Sequence, residues 1–255
     1  MKKWTIIALL VLVIIAATWF NSGVKAEDVR VLRIGTDPVW PPFEMVDEET
    51  KEIIGFDIDL IKAIGEVQGF EVEMVNINFD ALIPGIAQCQ FDAAASAITI
   101  TEERLKQMLF SDPYIKVGQV MAVKEDNNTM VNKEDFKGKV IGAQTGTTGA
   151  IMAFDWEMEG VSKYKGYDSV DLAFMDLKNG QIDGVLSDSL LAEGLVKSLG
   201  GLKIVGDMYS SEELGFAVCK NQPELVDLLN EGLEKIIEDG TFDKLVEKYF
   251  AEPEE

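Results

Sequence analysis

From residue 29 onward the apolar positions switch between two periods, and the switches predict strands and helices in alternation. Residues 29–35 are apolar-rich over a strand's length and read as a buried strand. Leu60, Ile61, Ile64 and Val67 then recur at helical spacing, which predicts a helix over 57–68 stopped by Gly69. Residues 71–77 alternate with period two, as a half-buried strand does. A short helix over 81–88, with Asp80 as its cap, and a buried strand over 91–95 complete the pattern. Strand, helix, strand, helix, strand is the order of a parallel α/β unit.

The segment Ser111-Asp112-Pro113-Tyr114 interrupts that unit. A strand over 117–124 leads into a second α/β run. Its strands are placed at 139–143, 164–166, 182–186 and 202–205, and its helices at 150–159, 169–178 and 189–198. Residues 210–214 read as a return crossing, and 215–220 re-enter the first unit. Pro223 opens a helix to residue 239, with Leu225, Leu228, Leu229, Leu233, Ile236 and Ile237 at core spacing, and 241–250 form a last short helix. The expected division is one discontinuous unit over 27–114 and 214–255, and a second over 115–213.

Residues 1–26 stand apart. Lys2 and Lys3 precede an apolar run from Trp4 to Phe20, and Val24-Lys25-Ala26 has the small last residue of a cleavage site. A signal peptide cut after Ala26 and an uncleaved N-terminal anchor both fit, and either exports the folded part to an extracytoplasmic or periplasmic space. The absence of Cys in this segment excludes a lipoprotein anchor. The net charge of −22 leaves no room for a basic patch and argues against nucleic acid as a partner. With no His and only Cys89 and Cys219, no metal site or cofactor site is expected. The two cysteines fit a disulfide or two buried thiols equally well.

Candidate chemistry concentrates at the ends of predicted strands. After the strand at 91–95 come Ser96, Thr99, Thr101 and then Arg104. Thr101 is a good N-cap, which puts Arg104 in the first turn of a helix over 102–108. A cation at the positive end of a helix is useful only if an anion joins it. Alone, the pattern also fits a surface arginine. Asp37 and Trp40 lie in a proline-stiffened loop after the first strand. Gln144 opens the Gly/Thr loop 145–149 before a helix, a geometry that cradles anions but lacks the lysine of a nucleotide loop. Asp188 sits at a strand's C-terminal end, where ligands are met, and also at the N-cap of the next helix.

Several motifs, in order, add a resemblance. They are Gly35-Thr36-Asp37 with Pro41-Pro42-Phe43-Glu44, Gly55-Phe56-Asp57, Phe79-Asp80-Ala81-Leu82, Thr99-Ile100-Thr101 with Glu103-Arg104, Phe110-Ser111-Asp112-Pro113-Tyr114, Gly146-Thr147-Thr148-Gly149, and Asp239-Gly240-Thr241-Phe242. Together, over about 29–250, they resemble the family 3 solute-binding proteins, the extracytoplasmic polar-amino-acid receptors of ABC importers. The resemblance implies a two-lobed α/β fold of the type II periplasmic-binding kind. Each lobe would be a mostly parallel sheet flanked by helices, and two crossing strands would join them. It also implies a monomer that closes on one L-amino acid and delivers it to a membrane permease.

By the same resemblance Arg104 would pair with the ligand carboxylate, helped by Thr99 and the backbone at Thr148. Asp188 and the carbonyl of Ala97 would take the ammonium. Trp40 and Phe79 would sandwich the side chain, and Asp37 and Gln144 would meet its far end. Ala97 stands where Gly is common. Gln144 stands where some glutamine receptors carry Lys, which weighs against glutamine, and an acidic Asp37 with no neighbouring cation fits a basic side chain such as arginine or lysine. Two other functions share the fold: a cyclohexadienyl-dehydratase-like enzyme and an amino-acid sensor domain. The binding protein is the expected reading, and no catalytic residue is assigned.

Overall fold

The structure is a computed structural model that describes residues 29–251, so the segment 1–26 lies outside the described residues. Among the described residues no helix is long and apolar enough to cross a membrane. The chain opens with β1 (Arg30–Thr36) and a small antiparallel sheet of β2 (Val39–Trp40), β3 (Glu44–Val46) and β4 (Ile53–Ile54). The prolines were expected to keep this stretch out of any sheet. Pro41 and Pro42 instead occupy the turn, where no ladder amide is needed, and Trp40 pairs with Glu44 across it. Trp40 is thereby fixed and buried.

Next come α1 (Phe56–Gln68), β5 (Phe70–Asn76), α2 (Phe79–Ala87), β6 (Ala93–Ala94), α3 (Glu102–Leu105) and β7 (Leu109–Phe110). Helix α1 buries Phe56, Ile58, Leu60, Ile61 and Ile64 and ends on Gly69 in the left-handed conformation, as its spacing predicts. Helix α2 begins two residues earlier than expected. Asn78, not Asp80, is its N-cap, so Asp80 falls in the first turn. Thr101 caps α3 by accepting the Arg104 amide, but the helix is one turn long because the chain swings at once into β7.

Two short antiparallel strands cross between the halves: β8 (Ile115–Val117) and, on the return, β14 (Glu212–Leu214). Between them lie β9 (Gln119–Lys124), β10 (Val140–Gln144), α4 (Thr148–Met158), β11 (Lys163–Tyr167), α5 (Val170–Lys178), β12 (Gly184–Asp188), α6 (Ser189–Leu199) and β13 (Leu202–Val205). After the return come β15 (Ala217–Val218), α7 (Pro223–Glu238) and α8 (Thr241–Phe250).

Each main sheet has five strands, in the orders β5-β1-β6-β15-β7 and β11-β10-β12-β9-β13. The expected mostly parallel sheets are mixed. Strand β1 runs parallel to β6, and β10 runs parallel to β11 and β12. The strands that carry the chain between halves, β15 and β9, enter antiparallel to their neighbours. A strand arriving directly from a crossing has no helical connection to reverse it, so it pairs antiparallel. Cys89 and Cys219 form a disulfide with Cα atoms 5.0 Å apart, inside an apolar cluster with Phe79, Leu82 and Phe91.

Candidate functional site

Strand ends and helix starts from both halves bring the predicted residues together. Arg104 is 6% exposed, held there because α3 turns its first turn inward beside the crossing strand β14. Its Nη1 donates to the Thr99 carbonyl at 2.8 Å, and its Nη2 donates to the Gly146 carbonyl of the other half at 3.1 Å. The guanidinium lies over the Phe79 ring, with Cζ 5.6 Å from the centroid. Among the described residues Arg104 enters no ion pair. Burial pushes its pKa down to about 10, against the opposing fields of Asp188 and Glu212.

Gly146 can present that carbonyl because it sits at φ +87, in the left-handed region. The next residue, Thr147, caps α4 through the Ala150 amide, leaving earlier amides of the helix start outside the cap. Gly149 lets α4 approach β12. A Cβ there would lie 2.6 Å from the Gln119 side chain and 2.9 Å from the Leu186 carbonyl.

Asp188 closes β12 at 4% exposure. It stands at the N-cap position of α6 but makes no side-chain cap bond. Its carboxylate instead accepts a hydrogen bond from Gln119 Nε2. Burial, then the charge of Glu212, raises its pKa to about 7, while Gln119, Arg104 and Trp40 oppose the rise. Trp40 is close enough to favour the ionised carboxylate, yet its buried indole N–H completes no hydrogen bond.

Asp37 and Gln144 meet across the halves. Gln144 Nε2 donates to Asp37 Oδ2 at 2.7 Å, and the Phe79 amide donates to the same oxygen at 3.0 Å. Gln144 Oε1 is buried without a partner. Burial raises the Asp37 pKa, and the charges of Asp80 and Asp171 add to the rise. Ala97 sits at φ 45, a strained conformation for a residue with a Cβ, and its amide donates to Asp57 Oδ2 at 2.8 Å.

Four site residues were not anticipated from the sequence. Glu212 on β14 accepts hydrogen bonds from the Thr99 hydroxyl at 2.9 Å and the Thr148 hydroxyl at 2.7 Å. Gln119 links Thr148 to Asp188. Glu44 and Asp57 are fully enclosed behind Ser96 and Ala97. Burial holds Glu44 well above the carboxylate range, and it lifts Asp57 to about 7 despite bonds from the Ala97 amide and the Tyr114 hydroxyl. Glu44 and Asp57 stand in the quoted motifs, and the acidic pair at 212–213 marks the return crossing. Nothing in their spacing says that they converge.

Fold and geometry define a two-sheet α/β protein with two crossing strands, in which charged residues of both halves meet at one place. The chain belongs to the bacterial extracellular solute-binding proteins, family 3, whose profile matches residues 32–252. It is 36% identical over 257 residues to "ABC transporter arginine-binding protein 1" of Escherichia coli (strain K12), a match that covers 99% of this chain and 100% of that protein. Among solved structures it is similar to an ancestral arginine-binding protein bound to arginine, with 41% identity and a TM-score of 0.82. That match covers 86% of this chain and 98% of that one. An ancestral arginine-binding protein bound to glutamine matches at 41% identity and a TM-score of 0.81, covering 87% of this chain and 98% of that one.

Proposed function

We propose that this protein is an extracytoplasmic receptor that binds a cationic L-amino acid, arginine first, between its two halves and delivers it to an ABC transporter permease. The observation that carries the proposal is an imbalance of buried charge. Among the described residues Arg104 is buried without an ion pair, and so are Asp37 and Asp188. Isolated buried charges are costly, and a zwitterion with a cationic side chain compensates all three.

The roles follow the geometry. Arg104 has spent two of its five N–H donors on carbonyls and keeps the rest for a ligand carboxylate. Thr99 and the start of α4 at Thr148 support it. Asp188, with the Ala97 carbonyl, takes the ammonium. Trp40 and Phe79 supply the flat faces for the side chain. The Asp37 carboxylate and the Gln144 amide bonded to it supply acceptors at this end, Gln144 Oε1 having no hydrogen-bond partner among the described residues, which suits a guanidinium.

The same contacts supply the closing step. Arg104 to Gly146 and Asp37 to Gln144 each join one half to the other. A ligand bound to both sets favours the closed form, with β8 and β14 as the hinge, and the permease reads that form. An N-terminal export segment at 1–26 fits a periplasmic or otherwise extracytoplasmic location. The test is titration calorimetry on protein unfolded and refolded to strip carried ligand, against the twenty amino acids. The expected outcome is tightest binding of L-arginine. No heat with arginine, lysine or histidine overturns the proposal, even where glutamine binds.

A further inference from the structure

One charged residue at the Arg104 end is left without a role in this reading. Glu212 lies on β14, which is bound to the first half through the Ile100 amide on the Glu213 carbonyl and the Gly215 amide on the Ile98 carbonyl. From there Glu212 Oε2 takes the hydroxyl protons of Thr99 and Thr148, and Oε1 accepts from Ser210 at 2.6 Å. A hydroxyl has one proton to give. The Thr99 hydroxyl, expected to help hold a ligand carboxylate, is therefore already committed to a carboxylate of the protein, and so is the hydroxyl of Thr148, whose backbone is expected to help. Glu212 also acts on Arg104 through its charge, without pairing with it.

A ligand carboxylate arriving at Arg104 thus meets an anion already on two of its donors. It must displace Glu212 from the hydroxyls or bind beside it against like-charge repulsion. An amine or guanidine ligand with no carboxylate avoids that repulsion and gains from the negative field of Glu212, at the cost of leaving Arg104 without a ligand anion. We propose that Glu212 is a specificity-determining residue: its carboxylate competes with the ligand's for Thr99, Thr148 and Arg104. The site therefore accepts cationic ligands that lack a carboxylate within about a hundredfold of the amino acid. This inference rests on the cationic-ligand reading above and sharpens it at one end.

The test compares L-arginine with agmatine, its decarboxylated analogue, on the full chain and on Glu212→Gln. In the unmodified protein the two affinities should differ by less than about a hundredfold, because the carboxylate's gain is partly cancelled. In Glu212→Gln the arginine-to-agmatine ratio should widen by at least about tenfold, as removal of the negative charge strengthens carboxylate binding and takes away the field that favours agmatine. A ratio that fails to widen overturns the inference while leaving the receptor reading intact. Binding of neither ligand by the unmodified protein overturns both. Should Glu212→Gln fail to fold, the unmodified protein decides alone, and a preference for arginine above about a hundredfold sinks the inference.

Discussion

The two ends of the site solve opposite problems with the same material. At the Arg104 end one cation is enclosed among carbonyls and hydroxyls, and its bonds run to backbone atoms. At the Asp37 end acceptors are in excess: Asp37 spends one oxygen on two donors, and Gln144 Oε1 has no partner. In the proposed function the first end meets what every amino acid has, and the second meets only the side chain. Affinity and specificity should therefore separate by end, and that separation can be broken experimentally.

The largest effect is expected at the general end. Arg104→Ala removes the cation that answers the ligand carboxylate, and should weaken binding of every amino acid by about 3–5 kcal/mol. Calorimetry, with far-UV circular dichroism to confirm the fold, checks it. A loss confined to arginine would mean that the two ends are not independent. Asp37→Asn should act on one class of ligand. Arginine should lose about 2–5 kcal/mol, because a buried charge partner is removed, whereas glutamine should change by no more than about 1 kcal/mol. Equal losses for both would assign Asp37 to the fold, through its bond from the Phe79 amide.

The motifs anticipated the fold and which residues converge at the candidate site, because they lie where strands end. The spacing of Leu60, Ile61 and Ile64 placed α1, and Thr101 placed the start of α3. What stayed hidden depends on distance in sequence. Glu212 reaches Thr148 only because β14 and the start of α4 are brought together in space, and no local period records that. Gln119 reads as one residue within an ordinary strand over 117–124, yet it holds Asp188 across a pairing set by sheet register. Asp188 had two competing roles in sequence. Its side chain makes no cap bond to α6, which favours the ligand role. The disulfide was equally open, since the approach of Cys89 to Cys219 follows from β15 re-entering the first sheet.

A smaller, graded effect is expected from pH, and it has opposite signs for stability and for binding. Asp188 and Asp57 titrate near 7 in the folded protein, against an ordinary value of 3.8. Between pH 7 and about 4 the folded state therefore holds protons that the unfolded state has released. Stability of the ligand-free protein should rise as pH falls through that window. Stability should be lowest above 7, where both groups are ionised at the cost of their burial. Binding needs Asp188 ionised to meet the ammonium, so affinity should fall as pH drops below 7, by up to about tenfold per pH unit. Asp188→Asn should remove this slope together with the ammonium contact. Denaturant titrations and calorimetry at matched pH would check it, and affinity that falls in parallel with stability would count against Asp188 as the ammonium partner.

The smallest effect on binding is expected where the effect on stability is large. The disulfide joins positions 130 residues apart and sits in the cluster that also contains Phe79. Cross-linking so long a loop restricts the unfolded chain more than it shapes the folded one, so replacing both cysteines by Ser should cost about 2–4 kcal/mol of stability. Phe79 is also fixed by its own amide bond to Asp37 and by the α2 turn around it, neither of which involves sulfur. Arginine affinity should therefore change by less than about twofold at temperatures where the variant is folded, since ligand binding itself restores part of the lost stability by mass action. A large loss of affinity in folded variant protein would show that the cluster around Cys89 positions the aromatic face. The side-chain end of the site would then depend on the core of the first half and not on Asp37 and Gln144 alone.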